Sequence, residues 1–279
     1  MTALLILAGL TVKEMLRRRL FVLSLLIALL FFLASLMPAL FGARDVSIRA
    51  TGQQQSVAVV LAAFLGVPML KFFAALQVIG LASGAISGDQ ERGLLAVVLP
   101  KPIARWQVVV GKWLGINLVM IANLAFWTTL GWASLRLQTG HSFPTLFAAG
   151  AWSIVYSLIF STVALFFSTF ATGALAAGLA ALLAAAAWPH AVLRALGGTF
   201  HVTALTRAGA AARDIVPMNQ VELWVERSLG PIAPSLINPG GIAFDVPIQA
   251  TAGDLVYTAL YVVAFFAAAI VVFQRRDVG

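Results

Sequence analysis

The sequence predicts an all-α membrane protein with six transmembrane helices, and three observations carry that prediction. Of 279 residues, 61% are hydrophobic and 10% charged, whereas about a quarter of a soluble domain is charged. Mean hydropathy is +0.99. The apolar residues gather into runs of about 20 or more, the length a helix rising 1.5 Å per residue needs to cross about 30 Å of hydrocarbon. Most of this chain is therefore solvated by lipid. The formal charge of +8 then reads as membrane topology before it reads as nucleic-acid binding. With no cysteine, disulfides and thiolate metal sites are excluded.

Six spans are expected at 20–42, 57–86, 108–135, 146–170, 171–188 and 255–273, all within one domain covering 1–279. The first follows Lys13, Arg17, Arg18 and Arg19 and superficially resembles a secretory signal. A signal's apolar region is about 7–15 residues, shorter than this run, so an uncleaved anchor is the expectation. The fourth and fifth spans form one apolar block, Leu146 to Trp188, which as a single helix would measure about 65 Å. It must turn back, and the polar, flexible stretch Ser168-Thr169-Phe170-Ala171-Thr172-Gly173 is where the reversal belongs. In the fifth span, Gly173, Ala174, Ala177, Gly178 and Ala181 suit close helix packing.

Lys and Arg in short loops are retained on the cytoplasmic side. The amino-terminal segment, the 87–107 connection with Lys112, and the tail (Arg275, Arg276) carry ten basic residues; the loops assigned outside carry Arg44, Arg49 and Arg136. Both termini are therefore expected in the cytoplasm, with the long connection 189–254 outside. Within that connection Asn219 and Glu222 have capping-box spacing, Gly230 and Pro231 give a stop, and Val221, Trp224, Val225, Ser228 and Leu229 share one face. A short amphipathic helix follows, either at the lipid interface, packed over the bundle, or acting as a substrate lid.

The connection between spans 2 and 3 is not built like an ordinary loop. After the charged cluster Asp89-Gln90-Glu91-Arg92, Leu94, Leu95, Val98 and Leu99 recur at helical spacing, and Pro100 and Pro102 end the pattern. The expected product is a short, rigid-ended amphipathic helix at the cytoplasmic surface. Such an element transmits a push that a flexible loop would absorb. The plain alternative is a solvated turn that stops span 2.

The run Glu91-x-Gly93-x-Leu95, Leu99-Pro100-x-Pro102-Ile103-x-Arg105, Gly111-Lys112 resembles the signature after the second span of ABC-2 type permeases. The basic amino terminus, the six spans, the long outer connection and the ending Phe273-Gln274-Arg275-Arg276-Asp277 are similar to that family as well. One departure is Leu94, where many relatives carry Thr. The resemblance implies the membrane subunit of an ATP-binding cassette transporter in the bacterial inner membrane. It implies two permease subunits, the same or related, and two copies of a partner ATPase that holds the ATP and magnesium. It also implies coupling through Asp89, Glu91, Arg92, Gly93, Leu95, Leu99, Pro100, Pro102 and Arg105, with Glu91 and Arg92 facing the ATPase. The segment around Lys13–Arg19 would lie along the inner leaflet ahead of span 1, or simply anchor it.

Lys71 sits in mid-span, where a charge costs at least about 2.5 kcal/mol. It either lines the transport pathway, attracts an anionic headgroup, or snorkels outward. Trp106, Trp113, Trp132, Trp152 and Trp188 fall near span ends and read as interfacial anchors. His141, His190 and His201 have no second ligand at metal-binding spacing, and no metal or catalytic residue is expected. Gly111-Lys112-Trp113 lacks the rest of a phosphate-binding loop, so this chain itself is expected to hold no nucleotide or other cofactor. Two other classes compete. An ion-driven secondary transporter usually needs an intramembrane carboxylate, and none lies within the six expected spans. A membrane scaffold for assembling another protein is compatible with the same fold.

Overall fold

A computed structural model describes residues 2–37, 47–50, 53–56, 67–93, 104–187, 190–229 and 250–276. Two helices, α1 (Thr2–Leu16) and α2 (Arg19–Ser35), meet at a 60° bend over Arg17 and Arg18. A short antiparallel hairpin follows, β1 (Ser47–Ala50) on β2 (Gln53–Ser56), with Ala50 opposite Gln53. The expectation of an all-α chain misses that hairpin. Every other described element is an α-helix: α3 (Val67–Ser83), α4 (Ser87–Glu91), α5 (Arg105–Thr139), α6 (Thr145–Ser168), α7 (Gly173–Ala187), α8 (His190–Thr199), α9 (Thr203–Ile215), α10 (Met218–Leu229) and α11 (Ala252–Arg275).

Among the described residues, four stretches are long and apolar enough to cross a membrane: Leu70–Glu91, Arg105–Gln138, Thr145–Ser168 and Ala252–Arg275. The bent α1–α2 pair passes as a fifth if counted as one span, and α7, with 15 residues, is shorter. Helices α3, α5 and α6 hold the centre of the bundle, where Val78, Leu81, Ile116, Met120, Phe160 and Leu165 are fully buried. At 35 residues, α5 is about 52 Å long and overruns the hydrocarbon thickness. It stops at Gly140, whose φ of +73° is a left-handed conformation that glycine adopts without a Cβ penalty.

The apolar block after Leu146 turns over Thr169–Thr172, within the stretch that sequence chemistry singles out. Helix α7 starts beside Gly84, where a Cβ on Gly173 would lie 3.5 Å from Gly84 Cα, at the end of the bundle that carries the arginines. It finishes where Asn219 Nδ2 donates to the Ala187 carbonyl, 3.4 Å away, at the opposite end. So α6 and α7 run antiparallel.

Among the described residues, the connection after α7 carries three helices where one was expected. The α8–α9 pair closes so tightly that a Cβ on Gly197 would collide with Thr206. Asn219 is not a cap: α10 begins one residue earlier, and the Asn219 amide spans Ala187 and Arg213 carbonyls while Glu222 reaches Lys71. Burial explains the difference, because a side chain wedged between α7 and α9 is not free to fold back on its own helix. The apolar face does appear. Val221, Val225 and Leu229 are buried, and the latter two share a cluster with Leu135, Leu146 and Ala149. Helix α10 therefore packs over the bundle. Helix α9 is tied to α11 in turn, since Arg213 pairs with Asp254 at 3.2 Å and Tyr257 donates to the Asp214 carbonyl.

Two of the tryptophans read as interfacial anchors are packing residues. Trp113 donates to Thr162 Oγ1 at 2.9 Å and lies 5.0 Å from the Phe266 ring, while Trp152 lies tilted against Trp224 of α10, 5.0 Å between ring centroids. Trp106 is exposed and Trp132 half-buried; Trp188 lies outside the described residues.

A candidate coupling site at the basic end of the bundle

The charged turn after span 2 is built on a break in the helix. Gly84–Ile86 form a turn between α3 and α4, and the Ser168 hydroxyl accepts from the backbone N–H of both Ile86 and Ser87 at 3.1 Å. Two amides that a helix start leaves without partners are thereby satisfied from α6. Ser87 donates back to the Ser83 carbonyl at 3.1 Å. The five-residue α4 is thus fixed at its first turn, and two residues past its end stands Gly93, whose φ of +68° suits glycine.

From that platform the residues of the signature separate into two groups. Asp89 turns inward and pairs with Lys112 Nζ at 2.6 Å, with the lysine side chain 8% exposed and the aspartate 16%. Lys112 also lies 3.7 Å from Glu14 of α1, which accepts from Arg18 Nη2 at 2.7 Å. A chain of alternating charges, Arg18–Glu14–Lys112–Asp89, therefore ties α1 and its corner to α5 and α4. Burial alone would raise the Glu14 pKa, but the Arg18 hydrogen bond and the Lys112, Arg18 and Arg92 charges outweigh it and hold the carboxyl below its ordinary value. Glu14 lies outside the four long spans. Glu91, Arg92 and Gly93, by contrast, are exposed. Leu95, Leu99, Pro100 and Pro102, with the expected amphipathic helix, lie outside the described residues.

Helix α1 reaches this network because α5 has no side chains in its way. A Cβ on Gly111 would sit 2.7 Å from Leu7 Cβ, and one on Gly115 would sit 2.5 Å from Thr11 Cβ and 2.8 Å from the Ala8 carbonyl oxygen. The Gly111-x-x-x-Gly115 spacing is a small-residue seam for close helix contact. In the sequence Gly111 stands out as part of the signature, and its four-residue spacing to Gly115 marks a seam without naming the helix that fills it.

Arg105 plays a different part from Glu91. Its guanidinium donates to the carbonyls of Gln274 (3.2 Å) and Arg276 (2.5 Å) at the end of α11, while Arg276 Nη1 donates to the Thr169 carbonyl at 2.5 Å. Two cations thus close the carbonyl ends of α11 and α6, where the helix dipole is negative. This clasp adjoins the charge chain through Ser168, the residue before Thr169.

Lys71 is at the other end. It is buried and donates to Glu222 of α10, 151 residues away. Among the described residues no group of three or more metal-ligating side chains gathers.

A family model described as ABC-2 family transporter protein matches residues 5–278. No curated protein matches the chain.

Proposed function

Because the chain belongs to the ABC-2 family of transporter proteins, whose members are membrane transport components that generally work with an ABC ATPase, we propose that it is the permease subunit of an ATP-driven exporter. ATP and magnesium are held by a separate subunit. Two permease chains and two ATPase copies make up the transporter. Each permease crosses the bacterial inner membrane six times, with α7 as the fifth crossing, and the basic end faces the cytoplasm with both termini.

The observation that carries this reading is the junction of exposed Glu91–Gly93 with the chain Asp89–Lys112–Glu14–Arg18, in which Lys112 is buried and the other three are half-buried. A push on the exposed turn is delivered to α5 through Lys112 and to α1 through Glu14, because the lysine that joins both ion pairs is buried between the helices. Ser168 carries the same push to α6. Rigid-body transmission needs such contiguous, packed elements.

The test is to purify the chain with its ATPase in lipid nanodiscs and measure hydrolysis relative to the ATPase alone. Glu91→Ala and Gly93→Pro should leave the complex assembled while lowering the permease-dependent ATPase rate about tenfold, the effect of about 1.4 kcal/mol. Unchanged coupled hydrolysis in both variants would overturn the coupling role. A chain that takes up substrate alone under an ion gradient would overturn the ATP-driven reading.

A further inference from the structure

The bend between α1 and α2 sorts three consecutive arginines. Arg18 turns inward: it donates to Glu14 at 2.7 Å, and its Nη1 lies 3.6 Å from where a Cβ on Gly84 of α3 would be. Arg17 and Arg19 on either side of it are exposed, as is Lys13 one turn before Arg17. None of these three side chains has a hydrogen bond or ion pair among the described residues. In the chain Arg18–Glu14–Lys112–Asp89, by contrast, two carboxylates answer two cations. The charge of Lys13, Arg17 and Arg19 is therefore left unbalanced at this corner.

These cations adjoin exposed apolar surface. On α1, Ile6, Leu10, Lys13 and Arg17 follow one another at spacings of four, three and four, so they share a face, and the two apolar members are exposed. Beyond the bend, Arg19 heads a stripe of α2 made by Leu23, Leu26, Leu30 and Leu33, again at alternating spacings of four and three, and all four leucines are exposed. From Arg19 to Leu33 the stripe is about 21 Å long, more than one leaflet's share of about 30 Å of hydrocarbon. The corner itself rests on the end of α3, since Leu20 Cδ1 lies 3.0 Å from where a Cβ on Gly80 would be. Cations at the head of an exposed apolar stripe fit an anion that carries a long hydrocarbon tail.

We propose that the α1–α2 corner binds an anionic phospholipid, its headgroup held by Lys13, Arg17 and Arg19 and an acyl chain lying along Leu23, Leu26 and Leu30. Each Lys or Arg at the membrane surface is drawn to anionic lipid, whereas a zwitterionic headgroup brings an ammonium that these cations repel. A soluble phosphate offers nothing to the leucines. An isologous contact between two copies centred on this corner would set like charges against each other. Placing the lipid in the inner leaflet rests on the orientation proposed above; the binding chemistry does not.

The experiment titrates the full chain, purified in detergent, with phosphatidylglycerol or phosphatidylcholine of identical acyl chains and counts bound lipid by native mass spectrometry. The first phosphatidylglycerol is expected to bind about 100-fold more tightly than the first phosphatidylcholine, about fivefold for each of the three cations, and the preference should shrink as salt screens it. Lys13→Gln, Arg17→Gln and Arg19→Gln combined should bring the two lipids level, while Arg17→Gln or Arg19→Gln alone should weaken phosphatidylglycerol about fivefold. Arg207→Gln removes an exposed cation of α9 and should change neither affinity. Equal affinity of the two lipids for the unaltered chain would overturn the site, and this arm needs no variant to insert or fold. A preference that survives the triple variant, or that falls as far in Arg207→Gln, would overturn its position at the corner. Displacement of phosphatidylglycerol by an equal concentration of glycerol phosphate would overturn the part assigned to the leucine stripe. Because binding is read in detergent without the ATPase, failure here leaves the permease reading standing, and failure of coupled hydrolysis leaves this site standing.

Discussion

Lys71 is a buried charge, and its partner sets what its loss does. The lysine side chain is 11% exposed, while Glu222 is 35% exposed. The two halves of the pair are therefore unequal: a neutralised lysine leaves a carboxylate that reaches water, whereas a neutralised glutamate strands a buried cation. Glu222→Gln is expected to destabilise the protein by about 2–3 kcal/mol and Lys71→Met by about 1 kcal/mol, with the double variant recovering most of the larger loss. Thermal unfolding in detergent measures all three. Equal costs for the two single variants would contradict the burial argument.

At the scale of elements, the contact between α1 and α5 depends on two absent side chains. Any Cβ at position 115 falls within 3 Å of both Thr11 and a backbone carbonyl of α1, and backbone cannot swing aside as a flexible side chain does. Gly115→Val is expected to push α1 off α5 at a cost of about 1–3 kcal/mol and to separate Glu14 from Lys112. Limited proteolysis near Arg17 should then speed up. Gly131→Ala on the same helix meets nothing within 4 Å and should leave the digestion pattern unchanged, which separates packing at the seam from glycine replacement in general. A hydrophobic pattern could not have identified that seam. Lipid and neighbouring helices are both apolar, so a membrane helix presents apolar residues on every side, and only small and polar residues mark the faces that touch protein.

For the whole molecule, the proposed orientation makes a prediction that the cysteine-free chain is well suited to test. Ser142 and Arg227 are exposed at the end opposite the arginine clasp, and Arg92 is exposed at the clasp end. With single cysteines introduced as Ser142→Cys, Arg227→Cys and Arg92→Cys, a membrane-impermeant maleimide should label the first two in intact cells and the third only after permeabilisation. The reverse pattern would invert the topology and place the coupling site away from any cytoplasmic ATPase.

Sequence alone determined the properties that depend on one dimension: membrane residence from apolar length, a basic end from the clustering of Lys and Arg, the reversal near Ser168–Gly173 from an interruption in an overlong run, and the buried face Val221–Val225–Leu229 from spacing along one helix. It also held the signature that identifies the family. Tertiary structure alone decided which groups meet. Lys71 finds Glu222 across 151 residues, Asp89 turns inward to Lys112 instead of outward with Glu91, Asn219 bridges α7 and α9 rather than capping α10, and Gln77 meets Asn123 of α5. The reason is that insertion into a bilayer depends on each segment's own transfer energy, which its residues carry with them. A buried charge or amide, by contrast, is satisfied only by whatever the packing of other helices brings within about 3 Å.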